Sequence, residues 1–432
     1  MNHFGKTIKK RLFPFLTVLL VLVFLCACNK ESKESSKEIT GEITSTPTSV
    51  PELTPTPTST PTPTPLPKEP CVAAKLSVAN KAMNTSLFDD NFMTTSKLSG
   101  GSNIDFSSDI PVKKLYIIWN DHPEACSLLT PGGDVTIGNK EFMHELVTLP
   151  EEVDCFTLVA PKNGTTLCDI YAFSDGILPA WVQDWEPPYK TADILLFSTH
   201  SDDEFIFFGG IIPSYGAGIG LRVQVAYMTS PYIGSERYRC HELLNGLWTA
   251  GLKNYPVTTD YRDWGQKTVE AAKSYYGEDN FKSFEVEQIR RFKPLVVLGH
   301  DLKGEYGHTV HMLSALTLND AVPAAADATK YKESAEKYGT WDTPKFYLHL
   351  YGNNPTILNY ETPLTAFGGK TAFQVAKEAY AKHISQQKWS FTVYSFDSPL
   401  DSHRFGLVRS LVGDDIKKKD LMENISPEAF RS

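Results

Sequence analysis

The chain has 432 residues, 41% of them hydrophobic, and a formal net charge of -9 from 42 Lys and Arg against 51 Asp and Glu. That acidity, without any basic stripe, argues against a nucleic-acid partner. The length exceeds one typical core, so more than one domain is expected.

The N-terminus reads as a targeting segment. Lys6, Lys9, Lys10 and Arg11 precede an almost wholly apolar run over residues 12–27. The run falls short of the roughly 20 residues that span a bilayer, so residues 1–27 are expected to be a secretory signal. Its end, Leu25-Cys26-Ala27-Cys28, resembles the lipobox of bacterial lipoproteins. That resemblance implies cleavage before Cys28, lipidation of its thiol, and a mature protein anchored to the membrane on its extracytoplasmic face. Residues 28–69 carry no apolar periodicity and turn into Thr/Pro repeats such as Thr60-Pro61-Thr62-Pro63. Such a composition cannot bury a core, and its prolines stiffen it into an extended spacer.

Residues 70–188 read as β-rich. Strands are expected over 112–119 and 155–160, with turns at Pro131-Gly132-Gly133 and Lys162-Asn163-Gly164. Short strands separated by turn clusters predict a β-sandwich or jelly roll, a weak resemblance to galactose-binding-like modules that implies a glycan contact. Outside the cytoplasm, Cys71, Cys126, Cys155 and Cys168 are candidates for one or two disulfides, whose pairing the spacing leaves open. None of the five cysteines beyond the N-terminal pair has CxxC spacing.

Residues 189–432 change pattern. Apolar strands are expected at 194–199, 223–228 and 294–299, alternating with helices over 239–252, 269–276 and 284–292, the last with Glu285, Glu287, Arg290 and Arg291 on its polar positions. This alternation predicts an α/β domain with a parallel sheet covered on both faces. Toward the C-terminus, residues 370–383 read as a helix and 389–394 as a strand.

The chemistry gathers at two strand ends. The first strand runs into His200-Ser201-Asp202-Asp203-Glu204, and the third into His300-Asp301 followed by Gly304-Glu305-Tyr306-Gly307-His308-Thr309-Val310-His311. Ligands and metals collect beyond the carboxyl ends of strands in open α/β sheets. A catalytic zinc takes three protein ligands and keeps one open position. His200, Asp203 and one of His308 or His311 supply such a set if the two strands are neighbours. Asp202 then stands free to move a proton, and Glu204 to orient a ligand.

These two motifs, in this order and context over residues 190–320, resemble the PIG-L/LmbE family of zinc-dependent de-N-acetylases. The resemblance implies a Rossmann-like fold without a dinucleotide, zinc (or another divalent ion) on His200, Asp203 and His311, and Asp202 as general base for the attacking water. It implies that His308 and Tyr306 stabilise the oxyanion, as an imidazolium and a hydroxyl, or assist the leaving amine. Arg239-x-x-Glu242 resembles a segment near the sugar, which makes Arg239 a substrate-binding candidate. Two departures stand out: Ser201 replaces a usual proline, and Thr309-Val310 replaces Pro-Asp, removing an acid that tunes His308. The expected substrate is an N-acetylated, GlcNAc-type extracellular or cell-wall glycan. An amidase acting on a larger amide, or a non-catalytic glycan-binding lipoprotein, are the alternatives. His300 and Asp301 are read as structural, His349 and His383 show no partner pattern, and Trp119, Trp181 and Trp185 are read as packing.

Overall fold

The computed structural model describes residues 69–232 and 237–430, all within one compact unit. The signal segment, Cys28 and the linker up to residue 68 lie outside the described residues.

The β-rich part comprises β1 (Ala73–Ala74), β2 (Leu76–Val78), α1 (Lys81–Ser86), β3 (Ser96–Leu98), β4 (Asn103–Trp119), β5 (Cys126–Leu129), β6 (Val135–Ile137), β7 (His144–Val159) and β8 (Thr165–Phe173). The strands form one antiparallel sheet in the order β1-β8-β4-β7-β5-β6, with β2 added on β4 and β3 on β8. β4 and β7 are far longer than expected because their pairing continues across register shifts between Ser107 and Lys114. Such irregularities bend a strand and increase its twist. They also accommodate Pro111, which has no N–H to donate. Ile104 and Phe106, before the bend, share one core with Leu115, Ile117 and Trp119 after it. The expected sandwich is therefore one continuous hydrogen-bonded sheet wrapped on its own core. No disulfide is formed among the five described cysteines. Cys126 and Cys168 are buried in different apolar clusters, where a free thiol packs as a small hydrophobe.

The α/β part follows with β9 (Ile194–Ser198), α2 (Asp203–Ile206), β10 (Val223–Tyr227), α3 (Tyr238–Thr249), β11 (Val257–Thr258), α4 (Val269–Ala272), α5 (Glu278–Phe292), β12 (Val296–Gly299), α6 (Thr309–Ala325), α7 (Lys332–Tyr338), β13 (Lys345–His349), β14 (Pro355–Ile357), α8 (Ala372–Tyr380) and β15 (Arg404–Ser410). The sheet order is β11-β10-β9-β12-β13-β15-β14. It is parallel through β13, whereas β15 runs antiparallel to both of its neighbours. Successive side chains of a strand face opposite sides. Ile194 and Leu196 accordingly join a core with residues of α3 and α8, and Leu195 and Phe197 one with residues of α5 and α6.

β9 pairs with β10 on one side and β12 on the other. The chain reverses its direction of growth there, and such a switch point opens a crevice at the carboxyl ends.

Three local expectations are corrected. The helix over 269–276 is a single α-turn continued by a wider turn over Lys273–Gly277. Of the polar positions of α5, Glu285 and Arg290 are fully buried. Arg290 donates to the carbonyls of Ala324, Ala325, Asp327, Lys330 and Tyr331, which cluster at the end of α6 and in the segment leading to α7. Residues 389–394 form no strand; they run over the crevice, and β15 takes the place beside β13.

Candidate functional site

The turn from β9 into α2 is strained. Asp202 has φ of +137°, a conformation costing about 1–3 kcal/mol for a side-chain-bearing residue. Glu204, fully buried, accepts the Asp202 N–H at 2.7 Å and pins it there. Arg239, from α3, donates to the Ser201 carbonyl and lies 3.5 Å from the Asp202 carboxylate. Burial raises Asp202, with Arg239 opposing, to about 6.

Asp203 points the other way. Its Oδ2 lies 3.0 Å from His200 Nδ1 and 3.0 Å from His311 Nε2, while those two nitrogens are 3.1 Å apart. Each imidazole is turned by a carboxylate behind it. His200 Nε2 meets Asp263 at 2.8 Å, and His311 Nδ1 meets Glu305 at 2.8 Å. An ionised carboxylate only accepts, so each outer nitrogen donates and each inner nitrogen of a neutral ring presents a bare lone pair. Two lone pairs and a carboxylate oxygen converging within 3.1 Å demand a positive charge between them. With protons alone, burial opposes charging the rings, but Asp203 and the other carboxylates prevail and hold His200 up to about 9 and His311 up to about 10. A divalent ion meets the same demand. Three donors at the 2.0–2.2 Å typical of zinc lie about this far apart on a tetrahedron, so the set fits such an ion. Among the described residues, the groups able to hold a metal are drawn from His200, His308 and His311, and from Asp203, His300 and His311.

A pocket of about 500 Å³ opens over this cluster. His200, Asp202, Asp203, Arg239, Tyr306 and His308 all line it, whereas His311 and Glu204 are fully buried beneath. His308 Nε2 is 3.5 Å from Asp263, and its Nδ1 has no partner. Burial, then the charges of His200 and His311, push His308 down to about 3. That leaves His308 uncharged at neutral pH, and the carboxylate it meets is Asp263, since Thr309-Val310 supplies none. Arg239 lines the pocket but braces Asp202 as well.

Five further residues belong to the site. Glu305 accepts from the Nδ1 of His300, His311 and His349 at 3.0, 2.8 and 3.1 Å. Its φ of +55° turns it inward from a motif position beside Tyr306. His300, read as structural, does tie two strand ends together by accepting the Thr199 N–H at 3.0 Å, and its ring also stacks on His311 at 4.2 Å. His349 extends from β13. His383, fully buried, lies 3.5 Å from Glu204. Asp263 comes from a polar loop that carries no pattern in the sequence. Of the three tryptophans, Trp119 and Trp185 are core residues, while Trp181 stays half exposed.

Fold and site define an α/β domain with a histidine–carboxylate centre at its switch point. No family model matches the chain. The 1D-myo-inositol 2-acetamido-2-deoxy-alpha-D-glucopyranoside deacetylase of Rhodococcus erythropolis is 32% identical over 179 residues, 36% of this chain and 59% of that protein. Its namesake from Nocardia farcinica is 29% identical over 183 residues, 36% of this chain and 57% of that one. The chain thus spans somewhat more than half the length of these relatives. A solved N,N'-diacetylchitobiose deacetylase from Pyrococcus horikoshii matches at 19% identity over 50% of this chain and 75% of its own, with a TM-score of 0.35. About a third of the chain is thus similar in sequence to two deacetylases of an N-acetylated sugar.

Proposed function

We propose that the chain is a metal-dependent N-deacetylase that removes acetyl from GlcNAc-type sugars of an extracellular or cell-wall glycan. The carrying observation is the convergence of His200, Asp203 and His311, each imidazole held by its own carboxylate. These three residues would hold the ion, zinc first by donor type. When bound, it supplies Lewis acidity toward an amide carbonyl and lowers the pKa of water toward about 7.

The chain's own groups divide the remaining work. Asp202 takes the proton of the attacking water and returns it to the departing amine. Glu204 and Arg239 fix its backbone and carboxylate, so little rearrangement accompanies the transfer. Tyr306, at the pocket wall, and neutral His308 offer donors to the oxyanion that forms. The relatives' names support an N-acetyl amino sugar as substrate. The apolar N-terminal run and Cys28 support an anchored, extracytoplasmic placement, which metabolic lipid labelling of wild type against Cys28→Ala would test.

Acetate release across peptidoglycan fragments and chitooligosaccharides tests the activity. Wild type should release acetate, and Asp202→Asn should be slower by roughly 10²–10⁴-fold, the usual contribution of a general base. Equal rates would remove Asp202 from the mechanism. Release of a larger acid instead would favour the amidase reading. Glycan binding without any hydrolysis would leave a binding protein.

A further inference from the structure

One wall of the pocket is held from the β-rich part. Tyr232 lines the pocket, and its hydroxyl donates to Asp121 Oδ1 at 3.1 Å. Arg237 donates from Nε to Asp121 Oδ2 at 2.9 Å, and its guanidinium lies 3.8 Å over the Tyr232 ring. Asp121 follows the end of β4, next but one to the fully buried Trp119, whose indole donates to Glu145 at 3.1 Å. The carboxylate therefore projects from a rigid corner of one sheet onto residues of the other. Burial raises Asp121, but the hydrogen bonds from Arg237, the His122 N–H and Tyr232, together with the Arg237 charge, outweigh it and hold the carboxyl below its usual range. One carboxylate thus fixes both a ring that faces substrate and the cation stacked on that ring.

We propose that Asp121 is a positioning residue of the substrate pocket, so that the β-rich part, by holding Tyr232 and the Arg237 guanidinium stacked on it, sets affinity for the N-acetylated sugar without entering the hydrolytic step. The role rests on the proposed deacetylase activity, but the clamp itself does not. A stacked, hydrogen-bonded ring suits the C–H face of a pyranose, and it would lose that fixed orientation if the carboxylate were removed.

The test uses the full chain and its Asp121→Ala and Asp121→Asn variants, with acetate release from a chitooligosaccharide and, separately, the rate of tryptic cleavage after Arg237. In Asp121→Ala, KM should rise by roughly tenfold, in line with the loss of hydrogen bonds to a charged group, while kcat changes less than twofold. Asp121→Asn, which keeps an acceptor for Tyr232, should recover part of the KM. Tryptic cleavage after Arg237 should be faster in Asp121→Ala, because the guanidinium loses its Asp121 acceptor. An unchanged KM in an active enzyme overturns the proposal, as does a loss confined to kcat. If wild type releases no acetate from any substrate, the deacetylase reading fails, and an unchanged cleavage rate would then overturn the clamp independently.

Discussion

At the residue scale the site is built on paired carboxylates and imidazoles. Glu305 serves three histidines at once, and only a two-oxygen acceptor satisfies three Nδ1–H donors. Glu305→Gln replaces one of those oxygens with a donor and leaves His311 free to turn. Partners of metal-binding histidines typically contribute 10–100-fold to affinity, so chelator competition should show zinc bound roughly that much more weakly. Asp202 makes a second, opposite-signed prediction. Burial raises it to about 6 with Arg239 opposing, and a nearby bound cation lowers it further. A base must be ionised, so kcat should fall as pH drops, with its midpoint at or below about 6. Removing the opposing charge in Arg239→Met should move that midpoint upward. A midpoint that stays put would show that Arg239 does not act on Asp202.

At the element scale, α3 links the active turn to the pocket's far rim. Its Glu242 accepts from Ser385 N at 2.6 Å and from Ser385 Oγ at 2.7 Å, fixing the loop whose Gln386, Trp389 and Phe391 line the pocket. Glu242→Ala should raise KM with little change in zinc content; steady-state kinetics beside metal analysis would check this. The same loop shows where the sequence was legible and where it was not. β9, β10 and β12 stood out as apolar runs because both faces of a parallel sheet are buried. His200, Asp202, Asp203 and His311 stood out because two strand ends carried unusual charge. Trp389–Tyr394 alternates like a strand, yet the apolar side chains Trp389 and Phe391 line the pocket, and alternation alone cannot separate that from a sheet edge. Glu285 and Arg290 sat on polar helix positions yet are fully buried, Arg290 drawn inward by the carbonyls at and beyond the end of α6. Asp263, His349 and His383 reach the site from distant loops and strand ends by tertiary folding, which leaves no local spacing to find.

At the scale of the whole molecule, the β-rich sheet and α3 share a buried polar seam. Tyr116 Oη meets His144 Nδ1 at 2.8 Å, His144 Nε2 meets His241 Nδ1 at 2.9 Å, and His241 Nε2 faces Cys168 at 3.7 Å. Burial pushes His144 far down and His241 down to about 3. Both rings are therefore neutral in the fold, while they titrate near 6.5 in the unfolded chain. Between those values the unfolded state binds more protons, so stability is complete above about pH 6.5 and falls as the pH drops toward 3. Thermal unfolding should show that loss from pH 7 to 4, and His241→Phe should flatten it; an equal slope in the variant would exclude the seam as its source. Because both sheets lie in one compact unit, calorimetry should record their unfolding as one transition. Two separated transitions would contradict the clamped arrangement of Asp121 as well.

His200, Asp203 and His311 are proposed as the metal centre of an N-deacetylase. The most direct measurement is acetate release from an N-acetylated chitooligosaccharide by metal-stripped protein titrated with zinc. Activity should be absent at the start, rise linearly and level off at one equivalent, with no recovery in His311→Ala at that stoichiometry. Full activity in the stripped protein, or a titration that His311→Ala leaves unchanged, would contradict the claim.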